Sequence, residues 1–327
     1  MKINRLNYLL AIAFSFYVHT TAAQDLVSMG AENQIVYALE MSPDSQYLAA
    51  TNGSQIALWD FEKATLRQEL EYHSPAKVIS LRFTHRQPLL LSGTQDGQVV
   101  LWDMNTYDVR WAKKMHQGVV TALAFSLDEQ WVASAATDDR IVVSNTQTGK
   151  TKWELTGHTD DITALVFKPD GSLLISGGAD KQLLSWDMED GQQVQSLQGH
   201  KSWIRALTFS ADSSRMLSSG DDGKLVTWYF DEWEGFQPFK KDPVSSSWLL
   251  ACEYKSPSRD VYATAGQSGK VVVISPFMKY VYRGKSLIHD LCFLPDGDQQ
   301  STRLAIATHG EGIKILNAYD MKQIEER

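Results

Sequence analysis

One short unit recurs along nearly the whole chain. Its anchor is a Trp-Asp pair, or a weaker pair at the same place, and seven anchors begin at Trp59, Trp102, Ser144, Trp186, Trp228, Ile274 and Leu316. Successive anchors lie 43, 42, 42, 42, 46 and 42 residues apart. A fixed period of this length indicates a repeat architecture, because one such unit cannot bury its hydrophobic face without a neighbour.

Each unit reads as short strands separated by turns. In the fourth unit an apolar-rich segment, residues 162–167, is followed by Lys168-Pro169-Asp170-Gly171, and two further strand segments end at a Glu-Asp-Gly turn. Pro fixes φ and Gly accepts a positive φ, so both sequences are typical of turns. No helical period is evident after residue 23. The unit therefore predicts a small antiparallel sheet, and seven such sheets can pack around an axis.

Gly-His dipeptides at Gly157-His158 and Gly199-His200 join the Trp-Asp anchors at constant spacing. In these motifs the sequence resembles the WD40 repeat family over essentially all of residues 24–327. The resemblance implies an all-β fold, a seven-bladed β-propeller of four-stranded antiparallel blades. It also implies a non-enzymatic scaffold that mediates protein–protein or peptide interaction.

The resemblance further implies a buried, hydrogen-bonded set of His, Ser, Asp and Trp in a blade. The matching residues are His158, Ser176, Asp180 and Trp186 in unit four, His200, Ser218, Asp222 and Trp228 in unit five, Ser92, Asp96 and Trp102 in unit two, and His116, Ser134 and Asp138 in unit three. Such residues could also suggest a hydrolase triad. A triad occurs once, however, and this set recurs, so we interpret it as structural and assign no catalytic residue.

The first 23 residues have the pattern of a secretory signal peptide. Lys2 and Arg5 precede an apolar run, residues 8–18, and Thr21 and Ala23 suit the −3 and −1 positions of a cleavage site. The run is shorter than the roughly 20 residues that cross a bilayer, and no later run is long enough. We therefore expect cleavage after Ala23 and a protein without a membrane span, in the periplasm or outside the cell, as in an exported bacterial-type member of the family.

Charge and motifs exclude several classes of partner. The chain has 31 Lys and Arg against 39 Asp and Glu, a formal net charge of −8. Nucleic acid and anionic lipid both require basic surface, so neither is an expected partner. The sequence lacks a phosphate loop, a nucleophile elbow, a zinc helix and a calcium loop. We expect a monomeric propeller without cofactor or metal, whose partner is a protein or peptide.

Binding is expected on the face that carries the His and Asp loops, because function on a repeat scaffold resides in loops. Nine residues are candidates for its rim: Tyr37, Lys77, Asp161, Trp203, Arg205, Asp221, Trp248, His289 and His309. Exposed Trp, Tyr and Arg dominate interface energies. The Trp side chains could instead pack between blades, and the two His side chains are interpreted as solvated, because a metal pair would lack a third ligand. The alternative function is a propeller enzyme, or a carbohydrate or small-ligand binder, that uses this face and the axial channel.

Three structural details stay open. The last blade could be completed by residues 26–29, which offer more apolar area, or by residues 322–326. Cys252 and Cys292 are interpreted as buried free thiols, with a cross-blade disulfide as the alternative. The insertion after Trp228 contains a cluster of aromatic residues. We expect that cluster to fold onto its own blade, because contiguous exposed apolar patches are rare.

Overall fold

The computed structural model describes residues 35–61, 63, 65–72, 74–231, 235–255, 261–276, 279–294 and 302–317, and the backbone of strands Tyr17–Thr21, Gln24–Met29 and Lys322–Ile324. This part of the chain contains thirty β-strands arranged in seven antiparallel sheets. Within it, no helix has the length and apolar character needed to cross a bilayer.

Five sheets are four-stranded blades whose strands follow one another in chain order. Their strands are β3 (Leu39–Met41), β4 (Tyr47–Asn52), β5 (Gln55–Asp60) and β6 (Thr65–Glu71) in blade 1; β7 (Val78–Phe83), β8 (Leu89–Thr94), β9 (Gln98–Asp103) and β10 (Val109–Lys114) in blade 2; β11 (Val120–Phe125), β12 (Trp131–Ala136), β13 (Arg140–Asn145) and β14 (Thr151–Thr156) in blade 3; β15 (Ile162–Phe167), β16 (Leu173–Gly178), β17 (Gln182–Asp187) and β18 (Gln193–Gln198) in blade 4; and β19 (Ile204–Phe209), β20 (Arg215–Gly220), β21 (Lys224–Asp231) and β22 (Gly235–Pro243) in blade 5.

The other two blades each take strands from a distant part of the chain. Blade 6 consists of β23 (Leu249–Tyr254), β24 (Tyr262–Gly266), β25 (Lys270–Ile274) and β26 (Lys279–Arg283), with β30 (Lys322–Ile324) added outside β26. Blade 7 consists of β27 (Ile288–Leu294), β28 (Arg303–Thr308) and β29 (Gly312–Asn317), followed outward by β2 (Gln24–Met29) and β1 (Tyr17–Thr21).

The ring is closed by the N-terminal segment. Val27 pairs with Ile315 and Met29 with Ile313, so β2 is the fourth strand of blade 7. The first strands of successive blades also contact one another in a continuous circle, including β27 of blade 7 with β3 of blade 1. The preference for residues 26–29 over residues 322–326 is therefore confirmed, and the seven-bladed propeller expected from the repeat is the observed fold.

The hydrophobic core is divided among the seven junctions between blades. One cluster of buried side chains fills each junction. Trp228 of blade 5, for example, packs with Leu183 and Ile175 of blade 4 and is fully buried. Each sheet therefore covers its two faces with its neighbours, as the period of the sequence requires.

Both cysteines are free thiols and face different junctions. Cys252 packs with Leu217 and Leu225 between blades 5 and 6, whereas Cys292 packs with Trp59 between blades 7 and 1. The cross-blade disulfide is therefore not formed. Burial raises the pKa of the Cys252 thiol to about 12, which keeps it protonated and unreactive.

The insertion after Trp228 lengthens the β21–β22 hairpin of blade 5. Phe236 is buried and packs on Phe209 and Phe230, at ring-centroid distances of 5.9 and 5.0 Å. Phe239 contacts Tyr229 at 4.7 Å but remains 64% exposed. The aromatic cluster thus folds partly onto its own blade, and Trp233 lies outside the described residues.

Candidate functional site

The polar sets of blades 4 and 5 are continuous hydrogen-bonded chains. In blade 4, Trp186 Nε1 donates to Ser176 Oγ at 2.9 Å, and His158 Nε2 lies 2.7 Å from the same oxygen. His158 Nδ1 lies 2.8 Å from Asp180 Oδ2. Blade 5 repeats every one of these contacts with Trp228, Ser218, His200 and Asp222.

Blade 2 assembles a shortened set. Trp102 Nε1 donates to Ser92 Oγ at 2.9 Å, as in the complete blades. Asp96 accepts hydrogen bonds from Gln98 Nε2 at 3.1 Å and from Thr94 Oγ1 at 2.5 Å, and His73 lies outside the described residues. Thr94 was not indicated by the spacing, although a hydroxyl two residues before the Asp was visible in the sequence.

Blade 3 replaces the indole with a thioether. His116 lies 2.8 Å from Ser134 Oγ and 3.0 Å from Asp138 Oδ1. Met115 Sδ lies 3.9 Å from the hydroxyl oxygens of Ser134 and Ser144, and so occupies the space that Trp fills elsewhere. A flexible Met can fill such an irregular gap without a change in the backbone.

These sets are closed to solvent and tie two loops together. The side chains of His116, His158 and His200 have no accessible surface. Burial alone would raise the pKa of Asp222, but hydrogen bonds from His200 and the backbone N–H of Lys201 outweigh it and lower the pKa to about 2. The ionised carboxylate thereby holds the loop before the first strand to the turn after the second strand. A substrate could not reach these atoms.

The rim candidates occupy equivalent positions of the repeat. Lys77, Asp161, Trp203 and Trp248 each accept, at the carbonyl, a hydrogen bond from the residue just after the second strand of the same blade. Arg205 and His289 are both the second residue of a first strand, and Asp221 and His309 both follow a second strand. The loops of several blades therefore present these residues on one face.

Four of the rim residues form what we name the Trp–Arg cluster: Trp203, Arg205, Asp221 and Trp248. Arg205 donates from Nε and Nη2 to the two carboxylate oxygens of Asp221, at 2.8 and 2.7 Å. Its guanidinium carbon lies 4.5 Å from the ring centroid of Trp203 and 5.8 Å from that of Trp248. Trp248 is 44% exposed. The partly buried Arg205–Asp221 ion pair therefore lies close to two indoles of adjacent blades.

Four others form the histidine cluster: Tyr37, Lys77, His289 and His309. His289 Nε2 lies 3.1 Å from His309 Nδ1, and the rings of Tyr37 and His289 are 5.5 Å apart. Lys77 Nζ lies 5.9 Å from the Tyr37 ring centroid. Burial and then the neighbouring His309 lower the pKa of His289 to about 4. Among the described residues, no group of three His, Cys, Asp or Glu side chains could hold a metal ion.

Asp161, the ninth rim residue, feels the charges of two other carboxylates and of Arg205. Burial raises its pKa, the charges of Asp160 and Asp139 raise it further, and Arg205 opposes them. Sequence reasoning missed Asp139 and Asp160 as rim residues. Their signal was present as consecutive acidic pairs, Asp138-Asp139 and Asp160-Asp161, in two successive units.

A further charged set lies on the first strands and was not predicted from the sequence. We name it the axial group, and its members are Glu40, Arg82, Glu253 and Asp290. Arg82 Nη1 lies 3.2 Å from Glu40 Oε1. Glu253 accepts a hydrogen bond from the backbone N–H of Phe293 at 2.8 Å, and Asp290 one from Leu39 at 2.9 Å. Burial, reinforced by the charge of Glu40, raises the pKa of Glu253 to about 8 and that of Asp290 to about 7.

A family model for the WD domain, G-beta repeat, matches residues 64–103, 112–143, 149–187 and 191–228. These are WD40 repeats. The first match begins at the outermost strand of blade 1 and ends at the third strand of blade 2, and the third match straddles blades 3 and 4 in the same way. Each WD40 repeat therefore joins two neighbouring blades.

Curated proteins are similar to part of this chain. WD repeat-containing protein 91 of Danio rerio is 33% identical over 87 residues, which are 26% of this chain and 12% of that protein. The Gallus gallus protein of the same name is 33% identical over 81 residues, 24% of this chain and 10% of its own length. The chain thus spans about a tenth of the length of these relatives.

Proposed function

We propose that this WD40 propeller is a non-enzymatic scaffold that holds a protein or peptide partner on the face of the Trp–Arg cluster. WD40 propellers generally bind protein partners. The observation that carries the proposal is the exposed Trp248, held beside Trp203 by the Arg205–Asp221 ion pair. Trp and Arg are the residue types enriched at the energetic centres of interfaces. A rigid pair of indoles loses little entropy when a partner covers it.

The structure of the buried polar sets favours a scaffold function and argues against a hydrolase function. Their His and Ser side chains are enclosed and occupied by hydrogen bonds within the blade. A nucleophile must reach its substrate, and these hydroxyls face the indole and the imidazole of the same set. We therefore propose that the buried polar sets stabilise the blades and take no part in catalysis.

A matched pair of variants tests the binding face. Trp248→Ala removes the exposed indole of the face, and Phe239→Ala removes another exposed aromatic side chain on the outermost strand of blade 5. We expect Trp248→Ala to weaken partner capture from extracts of the native cells about tenfold or more, as for an interface centre. Phe239→Ala should capture the same partner at wild-type strength. Equal capture by all three proteins would contradict the proposal.

We also propose that the protein is exported to the periplasm or the cell exterior by cleavage after Ala23, and that it acts as a monomer. Support comes from the leader pattern and from β2, the strand that completes blade 7, which starts at Gln24. Cleavage at this point would remove β1 and leave the pairing of β2 with β29 intact. Mass spectrometry of fractionated cells should find a mature chain beginning at Gln24, and a chain retaining residues 1–23 in every fraction would refute export.

A further inference from the structure

The charge balance of the proposed binding face suggests the chemistry of its partner. Arg205 is a cation of this face. Its Nε and Nη2 groups both donate hydrogen bonds to the Asp221 carboxylate, and its guanidinium plane packs on the Trp203 ring. The side chain of Asp221 is only 6% exposed. The ion pair is thus neutral as a unit and positions the indoles without offering a free charge.

Asp161 is left without a comparable partner. It occupies the same repeat position in blade 4 as Trp203 in blade 5 and Trp248 in blade 6, as their equivalent backbone hydrogen bonds show. The neighbouring groups that act on its carboxylate are Asp160, Asp139 and Arg205. Since Arg205 is committed to Asp221, no Lys or Arg side chain of the described residues forms an ion pair with the Asp161 carboxylate.

Resting on the proposed function, we infer that the partner is a peptide segment with a lysine or arginine whose cationic group binds Asp161. Its aliphatic stem would lie along the indole of Trp203, and the adjoining residues would cover Trp248. A cation at this place is attracted by the carboxylates and by the faces of the indoles. An acidic segment would meet three carboxylates, which costs binding energy and excludes such partners.

The test starts from a displayed library of random heptapeptides selected on the full chain, followed by synthesis of recovered peptides. Each peptide is measured by fluorescence anisotropy against wild type, Asp161→Asn, Trp248→Ala and the control Asp108→Asn, an exposed carboxylate between β9 and β10 at the opposite end of the blades. We expect a shared basic residue. Replacing it by norleucine should weaken binding to wild type about 3- to 10-fold, as for an exposed to half-buried ion pair.

The same norleucine peptide separates the possible outcomes. On Asp161→Asn the replacement should have almost no further effect, whereas on Asp108→Asn it should have the wild-type effect. Two results would overturn the inference but not the scaffold proposal. In the first, the selected peptides require Trp248 but share no basic residue. In the second, replacement of the basic residue by norleucine lowers the affinity for wild type and for Asp161→Asn equally. A selection with no peptide dependent on Trp248 overturns both.

Discussion

At the scale of single residues, the polar sets show how a repeated sequence motif becomes a repeated internal contact. Ser218 Oγ accepts a hydrogen bond from the Trp228 indole and contacts His200, whose other nitrogen meets Asp222. Because every buried polar atom has a partner, the set can lie inside an apolar blade without a net penalty. Loss of any member leaves the next one unsatisfied.

Asp222→Ala tests this dependence. We expect it to lower the free energy of unfolding by about 1–3 kcal/mol, the cost of leaving a buried donor unpaired. Asp222 has a folded pKa of about 2, below its ordinary 3.8, so its contribution is present above about pH 4 and is lost as the pH falls toward 2. Urea unfolding at pH 7 and pH 3 measures both effects. Asp108→Ala is the control, and an equal loss in that variant would contradict a special role for Asp222.

The sets could be predicted from the sequence because their members lie on one blade at constant spacing. The contacts of the rim could not. Arg205 meets Trp248 across a blade junction, and His289 meets Tyr37 across the junction that closes the ring. The spacing within a repeat carries no information on the angle between blades, which decides those contacts.

At the scale of the element, first strands of neighbouring blades belong to different sheets and are joined through side chains. Thr121 Oγ1 donates to the carbonyl of Ile162, and Thr163 Oγ1 donates to that of Ile204, in each case one blade further along. Ser80 Oγ makes a similar bond to Val120 O at 3.0 Å. These bonds give carbonyl groups of the next first strand a hydrogen-bond donor from outside their own sheet.

Thr163→Val removes one such bond while preserving the shape of the side chain. We expect a loss of about 1 kcal/mol in unfolding free energy, because a single hydrogen bond contributes about 0.5–1.5 kcal/mol. Thr163→Ser keeps the hydroxyl and should lose clearly less. Chemical unfolding of the three proteins measures both losses, and an unchanged stability in Thr163→Val, or a larger loss in Thr163→Ser than in Thr163→Val, would contradict the assigned role of the hydroxyl.

The strand pattern itself was well predicted, because turns and alternating segments recur in every unit. The axial group was not, since Glu40 and Glu253 sit in segments that otherwise read as apolar strands. A single acidic residue in such a strand does not reveal that acidic residues of three blades converge inside the ring.

At the scale of the whole molecule, the axial group makes stability depend on pH. The folded pKa values of Glu253 and Asp290, about 8 and about 7, exceed the ordinary values of 4.5 and 3.8 because burial disfavours their charged forms. Glu40 and Arg82, the charged groups facing them, act in opposite directions. Between the ordinary and the folded pKa values, these two carboxyl groups bind more protons in the folded protein than in the unfolded chain.

The contribution of Glu253 and Asp290 to the free energy of unfolding should therefore fall as the pH rises from about 4.5 to about 8, whereas the buried His158 and His289, whose pKa values are lowered, act in the opposite direction. Glu253→Gln, which cannot ionise, should gain free energy of unfolding relative to wild type as the pH rises across this interval. Urea titrations at several pH values test this, with the exposed Glu71→Gln as control. A difference in unfolding free energy between wild type and Glu253→Gln that does not change with pH across this interval would contradict the assignment.

The pairing of β2 with β29 also sets an order of events during synthesis. The ribosome makes residues 24–29 first and must finish residues 312–317 before the two can meet. Until then blade 7 lacks its fourth strand, and closing so large a loop is slow. Until synthesis is complete, the propeller is therefore not closed, and blade 7 exposes an unpaired strand edge. A chaperone could bind this incomplete state, and an exported protein could cross a membrane before the propeller closes.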